Sequence, residues 1–311
     1  MTVREKPTVI ALVGPTCSGK TALSLRLADS LGGEIVACDS RTVYRYFDIG
    51  TAKPSHSEMK QIPHHLIDVV DPDEPYTVAQ YVESAGAAIK DIALRGRLPI
   101  VCGGTGFYAR ALLEGLNIPA VAPREDLRLA FNEIAEKEGN QALHDRLRLV
   151  DPATADRLHA NDRFRIVRAL EVYTVLGSPF SSAAGRSEPP FNCIWIALTA
   201  RNRNQLYEAI SKRFELQLAE GLESEVETLF QRYGPHQKLM HTVNYKELVQ
   251  YHIGKLSRQE ALTEAVRHNF HLARRQLIWF NANQQIKWFF VDEMTRSALE
   301  EAVKAFLKGM L

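Results

Sequence analysis

The sequence predicts an α/β fold: a doubly wound parallel sheet with an all-helical subdomain inserted into it. Three observations carry that prediction. Strand and helix patterns alternate over the first third of the chain, one apolar strand runs directly into a glycine-rich loop, and the stretch from Pro119 to Gly185 shows helical periodicity with no strand candidate.

Thr8–Val13 (TVIALV) is a continuous apolar run ending at Gly14, as a strand covered on both faces should be. Leu23, Leu27 and Leu31 recur every fourth residue, which gives a helix from Thr21 to Leu31 that Gly32 stops. Glu34–Cys38 is a second short strand. Thr77 with Gln80 forms a capping-box signature for a helix running to about Gly96. Leu98–Cys102 is a third strand, ending in the glycine turn at 103–106. Pro119, Pro123, Pro179, Pro189 and Pro190 punctuate the helical segment, so 119–189 reads as the insertion and 1–118 with 190–311 as the catalytic core. Phe191–Leu198 returns to strand character. Helical stretches follow at 203–232, 243–253 and 257–282, then a strand at Ile286–Val291 and a closing helix.

The bulk properties suit such a protein. With 311 residues, 45% of them hydrophobic and 24% charged, the chain is long enough for two compact domains of ordinary globular composition. No run approaches the roughly 18 apolar residues that span a bilayer. The opening MTVREKPTVIALVGP is not expected to be a secretory or organellar leader, because its apolar stretch ends in a glycine loop. Cys17, Cys38, Cys102 and Cys193 are scattered and form no CxxC pair, which excludes a disulfide framework or zinc finger and points to a reducing, cytoplasmic setting. A net charge of +1 does not announce a nucleic-acid binder, so any such role must rest on local basic clusters.

Gly14-Pro15-Thr16-Cys17-Ser18-Gly19-Lys20-Thr21 fits GxxxxGK[ST] between a strand and a helix, giving the sheet a P-loop NTPase-like character. Glycines let backbone N–H groups converge on a diphosphate, the helix N-terminus adds a positive dipole end, and Lys20 adds a full charge. The Thr21 hydroxyl is placed to ligate Mg²⁺. The loop does not say which diphosphate is bound. The third strand ends in Gly103-Gly104-Thr105-Gly106 and not in the metal-holding Asp of many nucleoside triphosphatases. Asp39 follows the second strand. Either it faces the crevice at the carboxyl ends of the strands, or it caps a helix starting at Ser40.

Two basic segments admit two readings each. Arg163, Arg165 and Arg168 could meet phosphates or form the solvated face of an amphipathic helix. Arg267, His268, His271, Arg274 and Arg275, interleaved with Phe270, Trp279 and Phe280, suit a nucleic-acid surface or tunnel wall, or else a core stripe with a charged edge. His64 and His65 lack companions for a metal site. Asp68 and Asp71 are expected to pair with loop N–H groups.

Six blocks in order, GPTCSGKT (14–21), CDSRTVYRYFDIGTAKP (38–54), HHLIDVVDP (64–72), GGTGFYARALLEG (103–115), NDRFRIVRALEVY (161–173) and GLESEVETLF (221–230), resemble the tRNA dimethylallyltransferases over nearly the whole chain. The resemblance is to members without a C-terminal zinc finger. It implies a monomer that moves a dimethylallyl group from dimethylallyl diphosphate to the exocyclic amine of an adenosine beside the anticodon of tRNA, with Mg²⁺ as cofactor and no membrane partner. It implies that Asp39 is the general base, that Thr105 orients the amine or the bridging oxygen, and that Arg213 clamps the diphosphate. It places tRNA contacts at Asp39, Ser40, Arg41, Thr42, Thr105 and Arg128, and at Phe164, Arg165, Ile166, Val167 and Arg168. Others fall in 241–246, including Tyr245 and Lys246, and in 274–281, including Arg274, Arg275, Gln276 and Trp279.

The chain departs from the family pattern in places. Thr42 stands where Gln is frequent, Asn244 where a glycine commonly precedes the Tyr-Lys/Arg pair, and Ile278 where Thr is usual. Three other readings compete: a P-loop kinase of a small metabolite, a prenyl transferase acting on free adenine nucleotide, and a tRNA-binding module with a vestigial loop.

Overall fold

The structure, a computed structural model, describes residues 6–311; the five residues before them, part of the segment read as lacking a leader, lie outside the described residues. The chain order is β1 (Thr8–Val13), α1 (Lys20–Leu31), β2 (Gly33–Ala37), α2 (His56–Gln61), β3 (His64–His65), α3 (Val78–Leu94), β4 (Leu98–Gly103) and α4 (Gly106–Leu113). Then come β5 (Leu116–Asn117), α5 (Glu125–Glu138), α6 (Asn140–Val150), α7 (Pro152–Ala155), α8 (Arg163–Leu176), α9 (Phe180–Ala183) and β6 (Gly185–Arg186). The last stretch holds β7 (Asn192–Thr199), α10 (Arg203–Ala219), α11 (Leu222–Tyr233), α12 (Gln237–His241), α13 (Tyr245–His252), α14 (Arg258–Asn281), β8 (Lys287–Phe290) and α15 (Arg296–Lys308).

Six strands form one sheet in the order β3-β2-β4-β1-β7-β8, and every pairing is parallel. β1 is central: Ile10 stands opposite Ile100 of β4 on one side and Ile194 of β7 on the other. Its residues Val9–Val13 have no exposed surface, which is why the strand reads as unbroken apolar sequence. Leu23 and Leu27 of α1 pack onto Ile10, Leu12, Ile35 and Ile196, together with Leu299, Val303 and Leu307 of α15. A separate core gathers Phe47, Phe214, Leu222, Val226, Tyr245 and Leu248. The parallel sheet with its β1–loop–α1 unit is the architecture that the alternation predicted.

The chain divides into two compact units. One contains the residues up to Tyr76, Gln80–Leu113 and Pro190–Leu311; the other contains Thr77–Ala79 and Glu114–Pro189. The second is built on Leu143, Leu147, Ile166 and Leu170, which bring α5, α6 and α8 together. At its ends β5 and β6 form a two-residue antiparallel pair, Leu116 opposite Arg186, where no strand was expected. The helical stretch expected at 203–232 is two helices: Gly221, at φ 102°, breaks it between α10 and α11.

Candidate active site

Parallel strands bring their carboxyl ends to one edge of the sheet. Here the segments following β1, β2 and β4 line a cavity of 970 Å³ that also receives Arg213 from α10 and Arg275 and Gln276 from α14. The phosphate loop leaves β1 through Gly14. At φ 139° and with the Leu198 carbonyl 2.3 Å from where a Cβ would stand, that position takes only glycine. The loop is pinned from across the sequence: the Thr16 N–H donates to Gln276 Oε1 at 2.8 Å. Lys20 Nζ folds back to donate to the Pro15 carbonyl and to Ser18 Oγ. Its pKa is lowered to about 8, chiefly by desolvation, with the Arg213 guanidinium adding to the fall while Cys102, Cys17 and Asp39 oppose it. An anion bound in the loop would favour the charged amine again.

The opposite lip is built on another forced approach. A Cβ on Gly103 would lie 2.1 Å from the Cys38 carbonyl oxygen, so the end of β4 sits directly against the end of β2. Two bonds use this proximity: the Thr105 N–H donates to the Cys38 carbonyl at 3.1 Å, and the Ser40 N–H donates to Thr105 Oγ1 at 3.0 Å. Asp39 Oδ1 accepts the Arg41 N–H at 2.7 Å. No helix starts at Ser40, so Asp39 is not a helix cap; it closes a tight turn and lines the cavity. Asp39, Thr105, Arg213 and the loop residues Thr16–Thr21 thus border one cavity, as does Arg275, in keeping with the tunnel-wall reading of its cluster.

A third wall, Gly50–Ser55, was not foreseen. The Glu225 carboxylate holds it, accepting N–H groups from Asp48 at 3.3 Å, Ile49 at 2.8 Å and Gly50 at 3.2 Å. Lys53 Nζ is bound between the Asp48 and Asp68 carboxylates, and Asp71 pairs with Arg45. These ion pairs replace the loop N–H contacts expected for Asp68 and Asp71. The sequence signals for this wall were the DIGTAKP end of the 38–54 block, to which no role was given, and the position of Glu225 inside the GLESEVETLF block.

Several residues expected at an RNA surface lie elsewhere. Tyr245 is fully buried and its hydroxyl donates to Glu225. Gln276 is spent on the phosphate loop. In the helical unit Ile166 and Val167 belong to the core. Arg128 and Arg168 both grip the buried Glu171, at 2.9 and 2.6 Å, which also accepts the Arg124 N–H at 2.7 Å. Burial alone would raise the Glu171 pKa; the bonds from Arg128, the Arg124 amide and Arg168 outweigh it and hold the carboxyl below its usual range. Arg163 is tied to Asn132 and Glu136, and Arg165 to Asp162. Phe164, 79% exposed, is the residue of that block that faces solvent most fully. In the other unit Arg41 reaches the His241 carbonyl, Thr42 is buried with no partner for its hydroxyl, and Arg274 is exposed. Lys246 is partly exposed, and Trp279 packs against Phe107 with the Arg110 guanidinium 5.6 Å from its ring.

The donor set fits magnesium. Among the described residues no group of three or more His, Cys, Asp or Glu side chains could hold a metal alone. Thr21 offers one hard oxygen at the cavity. Mg²⁺ typically takes few protein ligands and fills its shell with phosphate oxygens and water, which is what this geometry allows.

Comparison with known proteins agrees with the geometry. Residues 42–283 match the family model described as IPP transferase, and residues 7–69 match that of isopentenyl transferase. A tRNA dimethylallyltransferase of Geotalea uraniireducens is 43% identical over 97% of this chain and 98% of its own. That of Symbiobacterium thermophilum is 44% identical over 95% of this chain and 94% of its own. The crystal structure of a tRNA isopentenylpyrophosphate transferase from Bacillus halodurans superposes with a TM-score of 0.73 at 36% identity, covering 98% of this chain and 96% of that one. A eukaryotic dimethylallyltransferase acting on tRNA gives 0.75 at 25% identity, over 91% and 74%. The phosphate loop, the Asp39 turn and the glycine-packed lip at Gly103 are thus those of a chain that belongs to the IPP transferase family.

Proposed function

We propose that this chain transfers a dimethylallyl group from dimethylallyl diphosphate to N6 of the adenosine 3′-adjacent to the anticodon of tRNA, releasing diphosphate. The observation that carries the reading is one cavity bordered by a carboxylate, Asp39, and by the cations Lys20 and Arg213. The N6 lone pair attacks the allylic carbon, the carbon–oxygen bond breaks with its electron pair going to the diphosphate, and the N6 proton passes to Asp39. An exocyclic amine is a weak nucleophile, and a positioned base contributes typically 10²–10⁴-fold. The leaving group gathers negative charge beside Lys20, Arg213 and the loop N–H groups, which are fixed before reaction starts. Thr105 Oγ1 accepts from Ser40, so its own proton is left to donate to the substrate. Mg²⁺ at Thr21 would supply further charge neutralisation of the diphosphate.

An adenosine inside an anticodon loop must leave its stack to enter such a cavity. The helical unit supports recognition of the surrounding stem-loop through Phe164 and Arg165 on α8, with Arg274, Lys246 and Trp279 as candidates in the other unit.

The test is label transfer. The protein is incubated with Mg²⁺ and labelled dimethylallyl diphosphate together with unmodified tRNA or AMP, and labelled ATP is run in parallel. Label in tRNA alone, lost with chelator and with a variant tRNA lacking the anticodon-adjacent adenosine, is the expected result. Label on AMP, or phosphoryl transfer from ATP, would overturn it.

A further inference from the structure

Asn244 sits at the junction of three elements that border the cavity. Its backbone is strained, at φ 77° and ψ −47°, a conformation that side-chain-bearing residues rarely adopt. The residue is nonetheless 1% exposed and its side chain is fully engaged. Nδ2 donates to the Gly50 carbonyl at 3.2 Å and to Gln217 Oε1 at 3.3 Å, while Oδ1 accepts from Asn269 Nδ2 at 2.6 Å. Two backbone carbonyls fix the orientation of this network, since Asn269 Nδ2 also donates to the Ala265 carbonyl at 2.9 Å.

Each arm of the hub ends on an element that carries a site group. Gly50 opens the third wall of the cavity. Gln217 lies one turn along α10 from Arg213, on the same helix face, and its Nε2 donates to the Ile49 carbonyl. Asn269 lies two turns along α14 from Gln276, which holds the phosphate loop at Thr16. One amide therefore links the helix of the diphosphate-binding arginine, the helix that pins the loop, and the cavity wall.

We propose that Asn244 is a positioning residue for prenyl transfer: its side chain sets α10, α14 and the wall at Gly50 in one register around the diphosphate. The proposal rests on the reading of Arg213 and the phosphate loop as the diphosphate site. The alternative is that residue 244 need only tolerate the strained turn, as the glycine common at this position in the family would, and the two roles separate cleanly. Asn244→Gly removes the side chain and relieves the strain, whereas Asn244→Ala removes the side chain and keeps the strain.

Both variants are compared with the unmodified protein for kcat of label transfer to tRNA, for binding of inorganic diphosphate with Mg²⁺ by calorimetry, and for melting temperature. Positioning predicts that Asn244→Gly, although it melts near the unmodified protein, loses about tenfold or more in kcat and binds diphosphate more weakly, because small displacements of reacting groups are costly. A glycine variant with unchanged kcat and diphosphate affinity, beside an alanine variant that is merely less stable, overturns the proposal. If both variants melt below the assay temperature, Gln217→Met decides. It cuts the bonds of Gln217 to Asn244 and to the Ile49 carbonyl, away from the cavity surface; a fall in kcat with melting temperature kept supports positioning by the hub, and an unchanged kcat sinks it. Should the unmodified protein transfer no prenyl group, the functional reading fails by itself, and the diphosphate affinities still decide the role of Asn244.

Discussion

Three cations of the cavity and four arginines of the helical unit are treated in opposite ways. Around the cavity, Lys20, Arg213 and Arg275 make no ion pair among the described residues, although Lys20 and Arg213 are close enough to depress the lysine pKa. In the helical unit Arg128, Arg163, Arg165 and Arg168 each hold a carboxylate. A like-charged pair left unneutralised is a standing cost to the folded state, tolerated where a ligand brings the compensating charge. An arginine wrapped round a buried carboxylate serves the fold first. The number of arginines in a segment is therefore a poor guide to nucleic-acid contact until their partners are known.

Asp39→Asn should lower the single-turnover transfer rate about 10²–10⁴-fold with little change in melting temperature, since an amide oxygen can still accept the Arg41 N–H. A rate within a few-fold of normal would remove Asp39 as the base. Lys20→Met should cost about 10²–10³-fold in kcat/KM for the diphosphate. Lys20 is charged below its pKa of about 8 and loses that charge above it, so kcat/KM, which reports the free enzyme, should fall as pH rises through about 8. Lys20→Arg should remove that limb of the profile, because a guanidinium stays charged.

In the helical unit, Glu171→Gln should act on stability. It leaves Arg128 and Arg168 without their shared charge, and because both are partly exposed the loss is about 1–3 kcal/mol, read by thermal melting. The Glu171 pKa is depressed on folding, so its contribution is present above the usual carboxylate range and is lost as pH falls through the lowered value. An unchanged acid limb of stability in Glu171→Gln would deny it that role. The smallest effect belongs to Arg165→Ala: the salt dependence of tRNA binding should flatten by about one unit of slope if Arg165 leaves Asp162 for a phosphate, and stay the same if it does not.

The phosphate loop was legible because its chemistry is written in backbone: Gly14, Gly19, Lys20 and Thr21 are fixed by steric need and charge within eight consecutive residues. Strands β1, β4 and β7 were legible because burial of their central residues leaves an apolar run. Shorter elements were not. Helix α2 went unread although Ser55 and Glu58 form a capping box, because six residues carry too little periodicity. The strand pair of β5 and β6 is two residues long and can show no alternation. From the residues themselves the site was read only where they are neighbours in sequence; Thr105 and Arg213 came through the family resemblance. Gln276 meets Thr16 across 260 positions, and Glu225 meets Ile49 across 176, so neither role could be inferred from spacing. Burial of Ile166, Val167 and Tyr245 was hidden for a related reason: a motif does not say which of its residues face inward.

The central strand sets an order on how the chain can be made. β1 ends at Val13, yet one of its two neighbours, β7, begins only at Asn192. At ordinary rates of synthesis that gap is about 10–40 s, during which this apolar strand has at least one unsatisfied edge. The stretch 114–189 emerges within that interval and draws its core from its own residues, Leu143, Leu147, Ile166 and Leu170. On the ribosome the guest is therefore free to fold before its host, and the sheet that builds the catalytic cavity closes only after the inserted unit has been completed.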